Sequence, residues 1–277
     1  MEGRLTDMEK ADKEVKIKHK KLVCVDSDGC AFDSMESKHR HCFGPEVLNV
    51  WPLQDQKEQV LDTWNQVNLY SSTRAVNRFK GLALVLKALG QEDWKEIHEW
   101  TMRAKALSNV TLSGETSPAL KRALTWSLAV NEAISKMPPA KPFDGAKEAI
   151  IKASGEADIV VVSSTNPDAL DAEWSNAGLR SYVSAIMSHR DGPKKECIAK
   201  LIKMGYQPEN VIMLGDAPGD HRAAVENGVH FYPICPRREA RDWHIFQETV
   251  FPMFASGMYR EDAEQEYIKA FWEKFEE

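Results

Sequence analysis

The sequence predicts an α/β fold: a mostly parallel sheet with helices on both faces, interrupted by an inserted helical module. Three observations carry this. From about residue 143 onward, short runs rich in β-branched residues alternate with helical stretches, the pattern of βαβ units. Between roughly 36 and 140, strand-like runs give way to apolar residues at helical spacing, and five of the eight tryptophans (51, 64, 94, 100 and 126) lie there. Finally, each polar cluster of note follows a strand-like run or opens the next helix, where parallel α/β sheets collect ligands.

Residues 1–20 are dense in Lys, Glu and Asp without an apolar face and read as a solvated helix or frayed tail. The run Leu22-Val23-Cys24-Val25 reads as the first strand. The inserted module spans 36–140, its tryptophans forming a core, and Pro138-Pro139-Ala140-Lys141-Pro142 reads as a stiff linker back to the sheet. Then come a helix over 145–153, a strand over 158–162, a helix over 167–177 and a strand over 182–187. A helix over 193–204, a strand over 211–214, a helix over 218–227 and a strand over 230–234 complete the body. The sheet domain is thus discontinuous, 21–35 and 141–236. Residues 237–277 form a helical extension whose Tyr267, Phe271, Trp272 and Phe275 make one stripe, expected to pack on the body.

Composition narrows the function. A formal net charge of −6 argues against a nucleic-acid partner. No apolar stretch approaches the ~20 residues of a membrane helix, so no membrane partner is expected. The charged start predicts no secretory signal. Five cysteines (24, 30, 42, 197, 235) form no spaced framework, which favours a reducing cytoplasm. His39, His41 and Cys42 are too bunched for a zinc site and read as surface.

Four clusters carry chemistry. Asp26-Ser27-Asp28-Gly29 ends the first strand with two carboxylates, an arrangement that mutual repulsion and lost solvation disfavour unless a cation holds it; a plain Asp/Gly turn is the alternative. Ser163-Ser164-Thr165-Asn166-Pro167 follows an apolar strand and opens a helix, suited either to anion binding or to simple capping. Lys194 and Lys195 open another helix, against its macrodipole, at a cost of roughly 0.3–1 kcal/mol that a nearby anion would reverse. Gly215-Asp216-Ala217-Pro218-Gly219-Asp220 delivers one acid at the end of a strand and a second at the start of a helix; capping accounts for Asp220 more readily than for Asp216.

Taken together the clusters resemble the haloacid dehalogenase-like hydrolase superfamily. Asp26-Ser27-Asp28-Gly29-Cys30-Ala31-Phe32-Asp33-Ser34 is similar to the first motif, Asp-x-Asp-Gly-Thr-Leu-x-Asp-Ser. Ser163 resembles the second motif, Lys194 the third, and Gly215-Asp216-x-x-x-Asp220 the fourth. Cys30 departs from the usual Thr or Val, which implies altered tuning. Lys195 is an alternative to Lys194; Ile198 and Leu201 follow Lys194 at the family's spacing. The resemblance implies a Rossmann-like core with a type 1 helical cap over 36–140.

It further implies a phosphoric monoester hydrolase. Asp26 would be the nucleophile that forms an aspartyl-phosphate, Asp28 the acid/base, and Lys194 a catalytic cation. Mg²⁺ would be held by Asp26, Asp28 (through its backbone carbonyl) and Asp216, with Asp220 orienting the surrounding groups. Ser163, Ser164, Lys194 and Gly29 would bind the phosphate. Arg74 and Arg78, placed one helical turn apart with Asn77 beside them, could read the far end of a small phosphorylated substrate. A phosphomutase uses the same intermediate; a dehalogenase or a non-catalytic binding module on the same scaffold are further alternatives. Monomer and homodimer are both compatible with the sequence.

Overall fold

The computed structural model describes residues 15–276. Of the charged N-terminal extension, residues 1–14 lie outside the described residues, and 15–20 run to the sheet without helix. The sheet has five strands, β1 (Lys21–Val25), β2 (Ala157–Val162), β3 (Ala185–Met187), β4 (Val211–Gly215) and β5 (His230–Pro233), in the order β3-β2-β1-β4-β5. All four pairings are parallel. Val23 is in register with Ile159 on one side and Ile212 on the other, which puts β1 at the centre.

Both faces of this sheet are buried, which is why its strands are apolar throughout. Alternation sorts their side chains. Val23, Val25, Ile159, Val161, Ile212 and Leu214 join one core, under the helices Ala146–Ala153 and Pro167–Asn176. Leu22, Cys24, Val160, Val162, Val211 and Met213 join the other, under Lys194–Met204 and Pro218–Asn227. The C-terminal helix Glu261–Glu276 packs against β5 and buries Phe271 in that second core. Tyr267 lies against the first core, Trp272 and Phe275 against the second. The strand expected over 182–187 is shorter: residues Arg180–Tyr182 form a 3-10 turn, pinned by Arg180 to Asp171 at 2.8 Å and to the Val183 carbonyl. As an edge strand, β3 bonds only β2 and needs little length.

Residues 42–137 contribute a third core of their own. Trp64, Trp100 and Trp126 are fully buried there, Trp51 nearly so, and Trp94 packs at its margin. At ~25 cal/mol per Å², burying an indole of roughly 200 Å² contributes about 5 kcal/mol before entropy is counted. Trp126 also satisfies its N–H on the Phe43 carbonyl at 3.2 Å. The two connections between this module and the sheet run side by side. Asp33 donates its N–H to the Lys141 carbonyl, and Phe143 to that of Ala31, both at 3.0 Å. Among the described residues no helix is long and apolar enough to cross a membrane.

Candidate active site

The carboxyl ends of the three central strands set the site. Asp26 follows β1 and donates its N–H to the Leu214 carbonyl of β4 at 3.0 Å; Ser163 follows β2 and donates to the Met187 carbonyl of β3 at 3.0 Å. Asp216 follows β4. The chain after Asp26 coils tightly, the Ser27 carbonyl accepting from the N–H groups of Cys30, Ala31 and Phe32. Gly29 holds φ +81°, and a Cβ there would lie 2.6 Å from Asp216 Oδ2 and 2.8 Å from Arg74 Nη2. Only glycine satisfies both demands. Its N–H is given to the Phe32 carbonyl at 2.9 Å. This corrects the expected phosphate contact: Gly29 makes room for Asp216 and Arg74 and has no free backbone donor.

Asp26, Asp216 and Asp220 each bring one carboxylate oxygen within 4.8 Å of the others, all buried. Lys194 reaches Asp26 Oδ2 at 2.6 Å and Asp220 Oδ1 at 2.5 Å, while Ala217 donates its N–H to Asp220 Oδ2 at 3.1 Å. Lys195 points elsewhere, pairing with Glu226 at 2.9 Å, so Lys194 is the lysine of the site. Burial lowers its proton affinity, but Asp220 and Asp26 outweigh that and hold it firmly protonated. Burial pushes Asp26 up to about 6, opposed by Lys194 and reinforced by Asp220. Burial likewise raises Asp216 to about 6, opposed by Arg74 and reinforced by Asp26.

Arg74 corrects a sequence expectation. The helix begins at Arg78, not before, so the two arginines do not share a helical face. Arg74 sits in the preceding turn, next to Ala75 at φ +58°. It is fully buried, its Nε and Nη2 both 2.7 Å from Asp216 Oδ2 and its Nη1 2.9 Å from the Leu69 carbonyl. Asn77 is the cap of that helix, accepting from the Phe79 N–H at 3.0 Å. Arg78 is turned into the cap, bonding Ser127 and Asn131.

Asp28 is not one of the three clustered carboxylates. Its Oδ1 accepts from Ser34 Oγ and from Lys38 Nζ at 2.5 Å, and its Oδ2 from Thr165 Oγ1 at 2.8 Å. Burial raises this carboxyl, but Lys38 and the two hydroxyls outweigh it and hold it below the usual carboxylate range. Ser163 is buried, its Oγ accepting the Thr165 N–H at 3.4 Å, whereas Ser164 is exposed. The Cys30 thiol is buried, raised by burial and by Asp216.

No local signal assigns Lys38 or Glu173 to the site, and Thr165 is expected only as a member of the anion-binding or capping cluster 163–167. Ser34 and Lys38 stand four apart at the start of the cap, a spacing that puts both on one helical face. Glu173 accepts from Ser27 Oγ at 2.9 Å, and the Trp174 N–H donates to the same oxygen at 3.0 Å. Burial, then Asp28, lifts Glu173 to about 7. No local signal marks it, because only packing of the helix Pro167–Asn176 brings it to Ser27.

His39, expected at the surface, is instead stacked on Phe43 at 4.6 Å with Nδ1 accepting the Trp64 N–H at 3.1 Å. Burial, with Arg74 next, lowers it from 6.5 to about 3. The folded ring therefore stays neutral while the unfolded one takes a proton below 6.5. Stability falls as pH drops from about 6.5 toward 3, by at most ~1.4 kcal/mol per pH unit. In urea melts at pH 7 and pH 5, the His39→Gln variant should lose less stability on acidification than the parent. Equal losses would mean that His39 titrates freely in the fold.

The centre fits a hard divalent cation. Three buried carboxylates face two cations, Lys194 and Arg74, and Asp216 Oδ1 is buried without a partner. An oxygen-only donor set with excess negative charge suits Mg²⁺. Asp220 is held at both oxygens, by Lys194 and by the Ala217 N–H.

A family model described as haloacid dehalogenase-like hydrolase matches residues 20–228. Among solved structures, the chain resembles a predicted phosphoglycolate phosphatase from Haemophilus somnus 129pt at 15% identity. That match covers 77% of this chain and 84% of the other, with a TM-score of 0.52. It is also similar to a haloacid dehalogenase-like family hydrolase from Xanthomonas campestris, 15% identical over 86% of this chain and 93% of that one, TM-score 0.49. The L-2-haloacid dehalogenase from Xanthobacter autotrophicus is 17% identical over 87% of this chain and 89% of that chain, TM-score 0.42. No curated protein matches the sequence significantly.

Proposed function

The chain belongs to the haloacid dehalogenase-like hydrolase family, and from that premise we propose that it hydrolyses small phosphate monoesters, with Mg²⁺ as cofactor, through an aspartyl-phosphate on Asp26. One observation carries the choice of phosphate ester over carbon–halogen bond: Asp28, a second acid two residues from Asp26, held by Ser34, Lys38 and Thr165 at the same sheet edge. A halide leaves as a stable anion, whereas an alkoxide needs a proton, and Asp28 can supply it.

In the first step an Asp26 carboxylate oxygen attacks phosphorus and the bond to the ester oxygen breaks, that oxygen taking a proton from Asp28. The substrate-free pairing with Lys38 keeps Asp28 ionised. A phosphate dianion arriving beside it raises its proton affinity and offers Lys38 a second anion. In the second step Asp28 takes a proton from water as that water attacks phosphorus, releasing phosphate and restoring Asp26. Ser163 Oγ, the Ser164 N–H and Lys194 would hold the phosphoryl oxygens where charge builds. Asp26, Asp216 and the Asp28 carbonyl would hold Mg²⁺, which when bound screens repulsion between nucleophile and phosphate. Arg74 keeps Asp216 Oδ2 and leaves Oδ1 for the ion. As a cap residue, Arg74 also ties closure of the cap to the charge balance of the centre.

The test is a panel of phosphate monoesters, an aryl phosphate among them, assayed for free phosphate with Mg²⁺. Release should stop on chelation and return when Mg²⁺ is restored. No release from any monoester, or undiminished release in chelator, would overturn the reading.

A further inference from the structure

Near Lys38 the cap presents an arginine without a matching acid. Arg78 is half-buried, and its Nη1 bonds only neutral groups: Ser127 Oγ at 3.1 Å, the Ser127 carbonyl at 3.4 Å and Asn131 Oδ1 at 2.7 Å. Its guanidinium lies over the Phe43 ring at 5.0 Å, and no ion pair among the described residues includes it. It stands in the first turn of its helix, where the macrodipole opposes a cation. Burial alone depresses its proton affinity, to about 10. A guanidinium kept inside with only neutral partners is a cost that a bound anion would remove.

Two neighbours share the lobe. Lys38 is close enough to Arg78 for their repulsion to act on it, and its carboxylate partner is Asp28 at 2.5 Å. His39 stacks on the same Phe43 ring. Because its Nδ1 accepts from Trp64, its proton resides on Nε2, making it a neutral donor. It feels Arg74, Asp28, Arg78 and Lys38 together. Asp28 is the group that protonates the departing oxygen in the reaction proposed above, so whatever is attached to that oxygen enters this lobe. A neutral alcohol would leave the Arg78 guanidinium with neutral partners alone; an anion would give it a charged one and add a second to Lys38.

We propose that the substrate is a phosphate monoester whose leaving alcohol carries a second anionic group, seated between Arg78 and Lys38 with His39 as a neutral donor. This specificity rests on the phosphatase reading and goes beyond it. Both a carboxylate and a second phosphate have the required chemistry.

The experiment compares matched esters with the Mg²⁺-loaded full chain: phospholactate against isopropyl phosphate, and propanediol bisphosphate against propyl phosphate. The charged member of at least one pair should have a kcat/KM on the order of 100-fold higher, the scale of charge-assisted hydrogen bonds; which pair responds tells carboxylate from phosphate. Arg78→Met should bring that ratio close to one, and Arg78→Lys should restore part of it. If Arg78 only props up Ser127 and Asn131, both esters fall together and the ratio stays, which overturns the proposal. Equal turnover of charged and neutral esters by the parent overturns it while leaving the phosphatase reading intact. No phosphate from any ester, aryl phosphate included, overturns both.

Discussion

Asp26→Asn is expected to abolish phosphate release, with kcat falling on the order of 10⁴-fold or more, as when a nucleophile is removed from a covalent mechanism. An amide cannot form the aspartyl-phosphate, so acid quenching during turnover should trap phosphoenzyme in the parent and none in the variant. The fold should survive. Asp26 is raised to about 6 by burial despite its contact with Lys194 at 2.6 Å. Its charged form is therefore disfavoured in the native protein relative to the unfolded chain. Above pH 6 this costs the metal-free protein stability, since the native state binds the extra proton only between about 3.8 and 6. Removing the charge should leave the melting temperature of the metal-free protein at pH 7.5 unchanged or higher. Turnover comparable to the parent would refute the role of Asp26; a large drop in melting temperature would refute the electrostatic account of its surroundings.

Lys194→Met should damage both activity and fold. The lysine bridges Asp26 and Asp220 at 2.6 and 2.5 Å from within the core. Without it, three buried carboxylates are left with Arg74 as their counter-ion. Breaking such a buried pair costs about 3–5 kcal/mol, and losing a donor to the transferred phosphoryl group lowers kcat on the order of 10²–10³-fold. The carboxyls should then titrate higher than in the parent. The sign follows: an acid whose folded proton affinity exceeds its unfolded one stabilises the fold when protonated, and that stability is lost as pH rises through the folded value. The variant should therefore gain stability relative to the parent between pH 8 and pH 5 in chelator. Adding Asp220→Asn removes one stranded charge, so the double variant should be more stable than Lys194→Met alone, a coupling that urea melts can read. Strict additivity would mean that the two side chains do not share their charge.

The acids of the site were legible because each is delivered by a feature that sequence displays directly. Asp26 and Asp216 end apolar runs that become the central strands β1 and β4, and two-residue periodicity with burial on both faces leaves such runs little alternative. Asp220 and Lys194 open the helices that follow. The linker 138–142 and the tryptophan core of the inserted module, expected over 36–140, are equally plain, since proline restricts its neighbours and large apolar side chains at helical spacing must find one another.

Other features were not legible, for a common reason. Lys38 and Thr165 meet at Asp28 only because the cap folds onto the carboxyl edge of the sheet, and Glu173 reaches Ser27 only through helix packing. Local spacing puts Arg74 one helical turn from Arg78 and suggests that both read the substrate's far end; in the fold Arg74 crosses from cap to core and binds Asp216 142 positions away in the chain. Gly29 is expected among the phosphate-binding residues, yet its N–H is consumed within the turn. Local periodicity and propensity determined the strands, the helices and the order in which acids and lysine are presented along the chain. Which of those groups share charge, which hydroxyl or cation restrains Asp28, and what faces the leaving group were decided by tertiary structure, because Coulombic and hydrogen-bond partners are chosen by distance in space.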